Sequence, residues 1–233
     1  MTAVATTADY RILGVGAVAA VAGALSQLVA TVLEPDWSGE PGDAARVVAD
    51  SGFFVTDRVV DLIGVLLTVG GLTVVYRTFA EGAGRDWARL GQPFLVLMGA
   101  LGSAGVVAGA VMKEMADRWA DASGGAKQSY LASFDAASNL TEDLFFAAFL
   151  ALGLYLAALA VAILTGGVYA RWIGWAAAVS AFLVLAGDLL LLASDAAFVA
   201  LLAGFVLFLA ALIALGVSLW RQAVAGAVQP RIH

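Results

Sequence analysis

The stretch from Thr56 to Tyr76 constrains the fold most, because it is an apolar run that opens with charged residues. About 20 consecutive apolar residues are enough to cross the hydrocarbon core of a bilayer. The first turns carry Asp57, Arg58 and Asp61, and the helical spacing places the two carboxylates on one face. An ionisable side chain in hydrocarbon costs about 2.5–3.5 kcal/mol unless it is paired or faces a polar interior. The segment therefore predicts a membrane-spanning helix with a polar site near one end.

The composition extends this prediction to the whole chain. Hydrophobic residues make up 62% of the sequence and charged residues 13%, against roughly 45–50% and 25% in soluble domains. Continuous apolar runs favour helices over the alternating strands of a membrane barrel. We expect an all-α integral membrane protein, a single bundle of six transmembrane helices in one domain covering 1–233. The predicted spans are 12–33, 56–76, 91–112, 141–165, 172–193 and 196–220, with a surface helix at 42–51.

Several classes of site and partner are disfavoured by the residue types. The chain has no Cys, and its one His is His233, so thiolate and imidazole metal sites lack their ligands. A net charge of −6 argues against nucleic acid as a partner. The sequence contains no P-loop, nucleophile elbow or H-E-x-x-H motif. We therefore expect no cofactor, no metal and no catalytic residue, and membrane lipids as partners.

The distribution of charge predicts an orientation. One set of span ends carries seven basic residues, Arg11, Arg77, Arg85, Arg89, Arg171, Arg221 and Arg231. The other set carries five, Arg46, Arg58, Lys113, Arg118 and Lys127, and all acidic residues except Asp9, Glu81 and Asp86. Since cytoplasmic loops are enriched in Lys and Arg, both termini are predicted to be cytoplasmic. The protein is predicted to lie in the plasma membrane.

Polar residues at the predicted outer ends of the spans are the candidates for a ligand or proton pocket. They are Gln27, Asp57, Arg58, Asp61, Glu142, Asp143 and Asp188. Asp61 and Asp188 lie a turn or more inside their apolar runs, so we expect both to face the bundle interior, with Arg58 as the counter-ion of Asp61. A functional pocket and a structural ion pair both explain this pattern. Glu34, at the end of its span, is interpreted as a solvated cap.

The third predicted span is rich in glycine. Gly102, Gly105 and Gly109 lie along it, and Gly105-x-x-x-Gly109 is a spacing that lets helices approach closely. We favour tight packing inside the bundle. A homo-oligomer, or a membrane-protein partner bound through these glycines, is the alternative.

Short motifs along the chain carry a family resemblance. They are Arg11-Ile12 with Gly14, the loop Gly42-Asp43-Ala44-Ala45, Asp61-Leu62, and the passage from Gly153 to Trp175. In these features the chain resembles a prokaryotic family of six-helix membrane proteins labelled domain of unknown function 4386. Members often carry Pro where Ala170 stands here. The resemblance implies the six-helix topology and brings no activity.

The sequence thus predicts a membrane protein that binds or conducts a small polar or cationic solute through an outward-facing acidic pocket. The first alternative is a non-catalytic accessory subunit or scaffold of a membrane complex. The second is an intramembrane enzyme acting on a lipid-like substrate, which is least favoured because no nucleophile and base stand out.

Overall fold

The computed structural model describes residues 7–37, 39–191 and 193–228. Over these residues the chain forms seven α-helices, one 3₁₀ turn and no β-strand. The helices are α1 (Thr7–Leu33), α2 (Pro41–Asp50), α3 (Phe54–Arg77), α4 (Arg85–Asp121), α5 (Gly124–Gly166), α6 (Arg171–Leu191) and α7 (Phe198–Val228), with the turn at Asp195–Ala197. Six of the described helices, all except α2, are long and apolar enough to cross a membrane. The expected all-helical, multi-pass bundle is therefore confirmed, while Arg231 and His233 lie outside the described residues.

The six long helices form a closed ring. Around it, α1 packs against α3, α3 against α4, α4 against α5, α5 against α6, α6 against α7, and α7 returns to α1. Buried apolar side chains fill the ring, among them Leu72, Leu95, Leu156, Ile163, Leu212 and Leu215. Large apolar side chains on the outer faces, such as Val15, Phe182 and Val199, remain exposed. Apolar outer faces are what a lipid environment requires, since lipid tails are as apolar as the side chains.

Two of the helices extend well beyond a membrane span. The predicted spans 91–112 and 141–165 belong to helices of 37 residues (α4) and 43 residues (α5). At a rise of about 1.5 Å per residue, both exceed the roughly 30 Å hydrocarbon core. Their extensions meet at Ala122 and Ser123 and form a helical hairpin outside the ring.

Helix α2 packs on this hairpin. Its residues Ala44, Ala45 and Val48 are buried. They share an apolar cluster with Phe54, Met112, Ala116, Trp119 and Phe134. The helix that the sequence predicted at 42–51 is thus present, and its apolar face is covered by protein. The hairpin and α2 therefore lie together at one end of the ring.

The two ends of the ring differ in charge. We call the end that contains Leu33, Phe54 and the hairpin the acidic end, and the end that contains Arg77 and Arg171 the basic end. At the basic end the hydroxyls of Tyr169 and Thr78 lie 3.0 Å apart. Burial raises the pKa of the Tyr169 phenol, so Tyr169 is protonated at neutral pH.

Candidate functional site at the acidic end

Arg58 is a buried cation in the first turns of α3. Its side chain is 4% exposed. Gly109 on α4 provides the space for it, because a Cβ at Gly109 would lie 3.2 Å from Arg58 Cδ. One turn earlier, the ring centroid of Phe54 lies 4.9 Å from the guanidinium carbon, a cation–π contact. Helices α3 and α4 therefore hold a positive charge out of contact with water.

Two carboxylates bind the Arg58 guanidinium. Nη2 of Arg58 donates to Oε1 of Glu34, just beyond the end of α1, and lies 3.2 Å from Oδ2 of Asp57. The indole nitrogen of Trp37 donates to the same oxygen of Glu34 at 3.3 Å. The ion pair with Glu34 therefore connects α1 to α3.

These contacts correct the expected pairing of Arg58 with Asp61. The ion pairs of Arg58 are with Glu34 and Asp57. Side chains on a helix tilt towards its N-terminus, and the N-terminus of α3 is at the acidic end. The long Arg58 side chain therefore extends towards Glu34 and away from Asp61, which lies deeper in the membrane. Glu34, expected to be a solvated cap, is 37% exposed and holds a buried partner.

Asp61 completes the charge cluster without a direct ion pair among the described residues. It is half-buried, one turn inside Asp57, and within electrostatic range of Arg58, Glu34 and Asp57. We call Glu34, Asp57, Arg58 and Asp61 the Arg58 centre. The centre holds three carboxylates and one guanidinium within electrostatic range of one another, so negative groups outnumber the positive one.

Several buried polar atoms near the Arg58 centre have no hydrogen-bond partner in the described part of the chain. In the centre itself they are Oδ1 of Asp57 and Nε of Arg58. Below it is Oε1 of Gln27, a residue that is 6% exposed. A Cβ at Gly64 on α3 would lie 2.8 Å from Gln27 Cγ, so the two helices are in close contact there. An unpartnered buried polar atom costs about 1–3 kcal/mol, so a group that supplied the missing hydrogen bonds would be bound favourably.

Glu142 and Asp143 do not join the Arg58 centre. Both are exposed on α5. The charges that act on Glu142 are those of Asp143 and Asp135 on the same helix. Asp135, Glu142 and Asp143 form an acidic stripe on the surface of the hairpin, which we call the α5 stripe.

Asp188 lies in a different part of the ring. It is 1% exposed, on α6, and α6 packs against α5 and α7 whereas α3 packs against α1 and α4. No charge of the Arg58 centre acts on it. The seven residues singled out from the sequence therefore occupy three places: the Arg58 centre with Gln27, the α5 stripe, and Asp188.

Two cavities lie towards the basic end. The larger is an open depression on the surface of α4, with a volume of about 540 Å³, and is lined by Arg89, Gln92, Pro93, Val96, Leu97 and Ala100. The smaller lies inside the ring beside Tyr76, Gln92 and Tyr155. Neither cavity is lined by an acidic residue. An open acidic pocket therefore stays a prediction.

Sequence reasoning missed three contributors to the centre. Glu34 carried a usable signal, because it closes one span at the membrane face where Arg58 opens the next. Trp37, at a span end, fits an aromatic belt as well as a hydrogen bond to Glu34. Phe54 lies four residues before Arg58, the spacing at which side chains on one helix meet, but the predicted span began at residue 56 and left Phe54 outside the helix.

Comparison with known proteins finds no matching family model, no matching curated protein and no matching solved structure.

Proposed function

We propose that this protein binds or conducts a small polar or cationic solute through the Arg58 centre, and that the acidic end faces the outside of the plasma membrane. The observation that supports this most is the buried Oδ1 of Asp57, which lacks a partner inside a centre where carboxylates outnumber the guanidinium. Membership of the six-helix family that the sequence resembles is also proposed, and it adds no activity.

The chemistry of the unpartnered atoms defines the solute. Of the three unpartnered atoms, Oδ1 of Asp57 and Oε1 of Gln27 are hydrogen-bond acceptors, and Nε of Arg58 is a donor. A matching solute donates N–H or O–H groups, and a positive charge on it would offset the excess of carboxylates. Small ammonium or guanidinium compounds satisfy both requirements.

The charge asymmetry between the two ends supports the proposed sidedness. Arg77, Arg85 and Arg171 lie at the basic end, while Glu34, Asp57 and the α5 stripe lie at the other. Lys and Arg favour the cytoplasmic side. A negative outer surface raises the local concentration of cations and speeds their arrival.

The test is a thermal-unfolding panel on the purified protein in mild detergent. Ammonium, methylammonium, guanidinium and sodium are added at low millimolar concentration, with glycerol as the uncharged comparison. A ligand at 100 times its Kd stabilises the folded state by about 2.7 kcal/mol. We expect at least one nitrogen cation to raise the unfolding temperature of the wild type.

The matched variants assign that shift to the site. Glu34→Gln and Asp57→Asn should reduce it. Asp50→Asn, at an exposed position on α2, should leave it unchanged. Equal shifts in all variants, or no shift with any cation, would overturn the proposal. A stoichiometric membrane-protein partner that co-purifies with a chain showing no shift would instead indicate an accessory subunit.

A further inference from the structure

Asp188 is a buried carboxylate that takes no part in the Arg58 centre. It lies close to the acidic end of α6, which finishes at Leu191. Its side chain is 1% exposed, and neither carboxylate oxygen has a hydrogen-bond partner among the described residues.

The helices around Asp188 pack too closely to hold a solute beside it. A Cβ at the neighbouring Gly187 would lie 2.5 Å from the backbone nitrogen of Leu201 on α7. One turn away, a Cβ at Gly204 would lie 2.8 Å from the backbone nitrogen of Val184. The α6–α7 contact next to Asp188 is therefore backbone against backbone.

Charged groups on the packed helices are distant. Gly153 on α5 lies opposite Leu185, so Asp188 is level with about residue 150. Glu142 and Asp143 lie roughly 10–12 Å further along that axis, at about 1.5 Å per residue, and both are exposed.

The remaining charged residues on these elements are few. The first charged residue of α7 is Arg221, at the basic end, and the other charged residue of α6 is Arg171, also at that end. The 3₁₀ turn contributes Asp195. No basic residue on α5, α6 or α7 therefore lies at the level of Asp188 along the bundle.

We infer that Asp188 is a proton-binding site, separate from the Arg58 centre. In this state of the protein the Asp188 side chain carries its proton and is a neutral carboxylic acid. An ionised carboxylate without a donor is strongly disfavoured in an apolar interior. A metal cation needs several oxygen ligands, whereas the residues next to Asp188 at the α6–α7 contact are Gly187 and Val184 of α6 and Leu201 and Gly204 of α7. A proton needs only the carboxylate.

The position also gives the proton a route. Asp188 lies three residues from the end of α6, so a small separation of α6 from α7 would bring it to water at the acidic end. There the acid would release one proton to water and become a carboxylate, and reclosure would require its reprotonation. Intramembrane carboxyls used in this way are the elements of proton relays.

Infrared difference spectroscopy on the full-length protein in proteoliposomes tests this inference. At pH 7 the wild-type-minus-Asp188→Asn spectrum should show the loss of one protonated carboxylic-acid carbonyl band. Asp188→Glu should shift that band and retain it. The matched control Asp50→Asn, at an exposed site, should lose carboxylate bands only.

Loss of a carboxylate band in Asp188→Asn, with no change in the acid region, would overturn the inference. Thermal unfolding gives a second measure, because Asn replaces a neutral acid with a neutral group of the same shape. The unfolding temperature of Asp188→Asn should match that of the wild type, and a large fall would contradict a neutral Asp188. Neither measurement depends on solute binding at the Arg58 centre.

Discussion

Gly109 on α4 faces the side chain of Arg58 on α3: a Cβ at position 109 would lie 3.2 Å from Arg58 Cδ and 3.7 Å from its Nε. Gly109 therefore makes room for a side chain of the same chain. Gly105 packs against Phe145 in the same way, at 3.4 Å. All three of Gly102, Gly105 and Gly109 are buried, which is the internal packing that the sequence favoured. The alternative, a homo-oligomer or a membrane-protein partner bound through these glycines, stays a prediction.

Enlarging Gly109 should displace Arg58. Gly109→Leu is expected to destabilise the protein by about 1–3 kcal/mol, the usual effect of overpacking, and Gly109→Ala by less because the Arg58 side chain can shift. Thermal unfolding in detergent measures the effect. Gly125→Leu is the control, since a Cβ at Gly125 has no atom within 4 Å. Equal losses at both positions would contradict the contact.

Removing the Arg58 charge should be the most damaging single change at this end. Arg58→Met leaves Asp57, which is 1% exposed, without its cation, and breaking a buried pair costs about 3–5 kcal/mol. Adding Asp57→Asn to Arg58→Met should recover part of the loss.

The control for this series is Arg118→Met. Arg118 binds Glu114 at 2.6 Å on an exposed face of α4, and exposed pairs contribute little. The unfolding temperature of Arg118→Met should stay at the wild-type value. An Arg58→Met protein as stable as Arg118→Met would show that Arg58 is not buried among carboxylates.

Lys113 should hold α2 on the hairpin. Its Nζ donates to the carbonyl oxygen of Ala49 at 3.1 Å and also binds Asp117. A cation at the C-terminus of a helix satisfies free carbonyls and the helix dipole. Lys113→Met should therefore speed amide hydrogen exchange in Pro41–Asp50, measured by mass spectrometry. Arg46→Met, which removes an exposed cation of α2 itself, should have little effect; faster exchange in this control alone would be the contrary result.

The six spans could be predicted from the sequence because span length and apolarity are local properties. Span length and apolarity alone do not delimit the polar extensions of α4 and α5, since helix continues there from apolar into polar residues without a break. Asp57, Arg58 and Asp61 were placed together correctly because they share one helix. Glu34 was misjudged because its role depends on the direction of the Arg58 side chain.

Asp188 shows a second limit of the sequence. Its depth in the apolar run correctly indicated burial. Its neighbours, however, depend on the order of the helices around the ring, which no spacing in one span specifies. A carboxylate on α6 can be buried and still belong to a helix that is not next to α3 in the ring.

The proposed sidedness can be tested with single cysteines, since the natural chain has none. Ser123→Cys, exposed between α4 and α5, should react with an impermeant maleimide on intact cells. Ala83→Cys, exposed at the basic end, should react only after the cells are opened. Gly84 is unsuitable for this role, because its Cβ would lie 2.5 Å from the carbonyl oxygen of Ala162. Reversed labelling would place the acidic end inside.

The proposed solute site at the Arg58 centre is tested most directly by calorimetric titration of the most stabilising nitrogen cation into the purified protein. The account predicts saturable binding to the wild type, at least tenfold weaker binding to Asp57→Asn, and unchanged binding to Asp188→Asn and Asp50→Asn. Equal affinity in the wild type and Asp57→Asn, or a loss confined to Asp188→Asn, would contradict it.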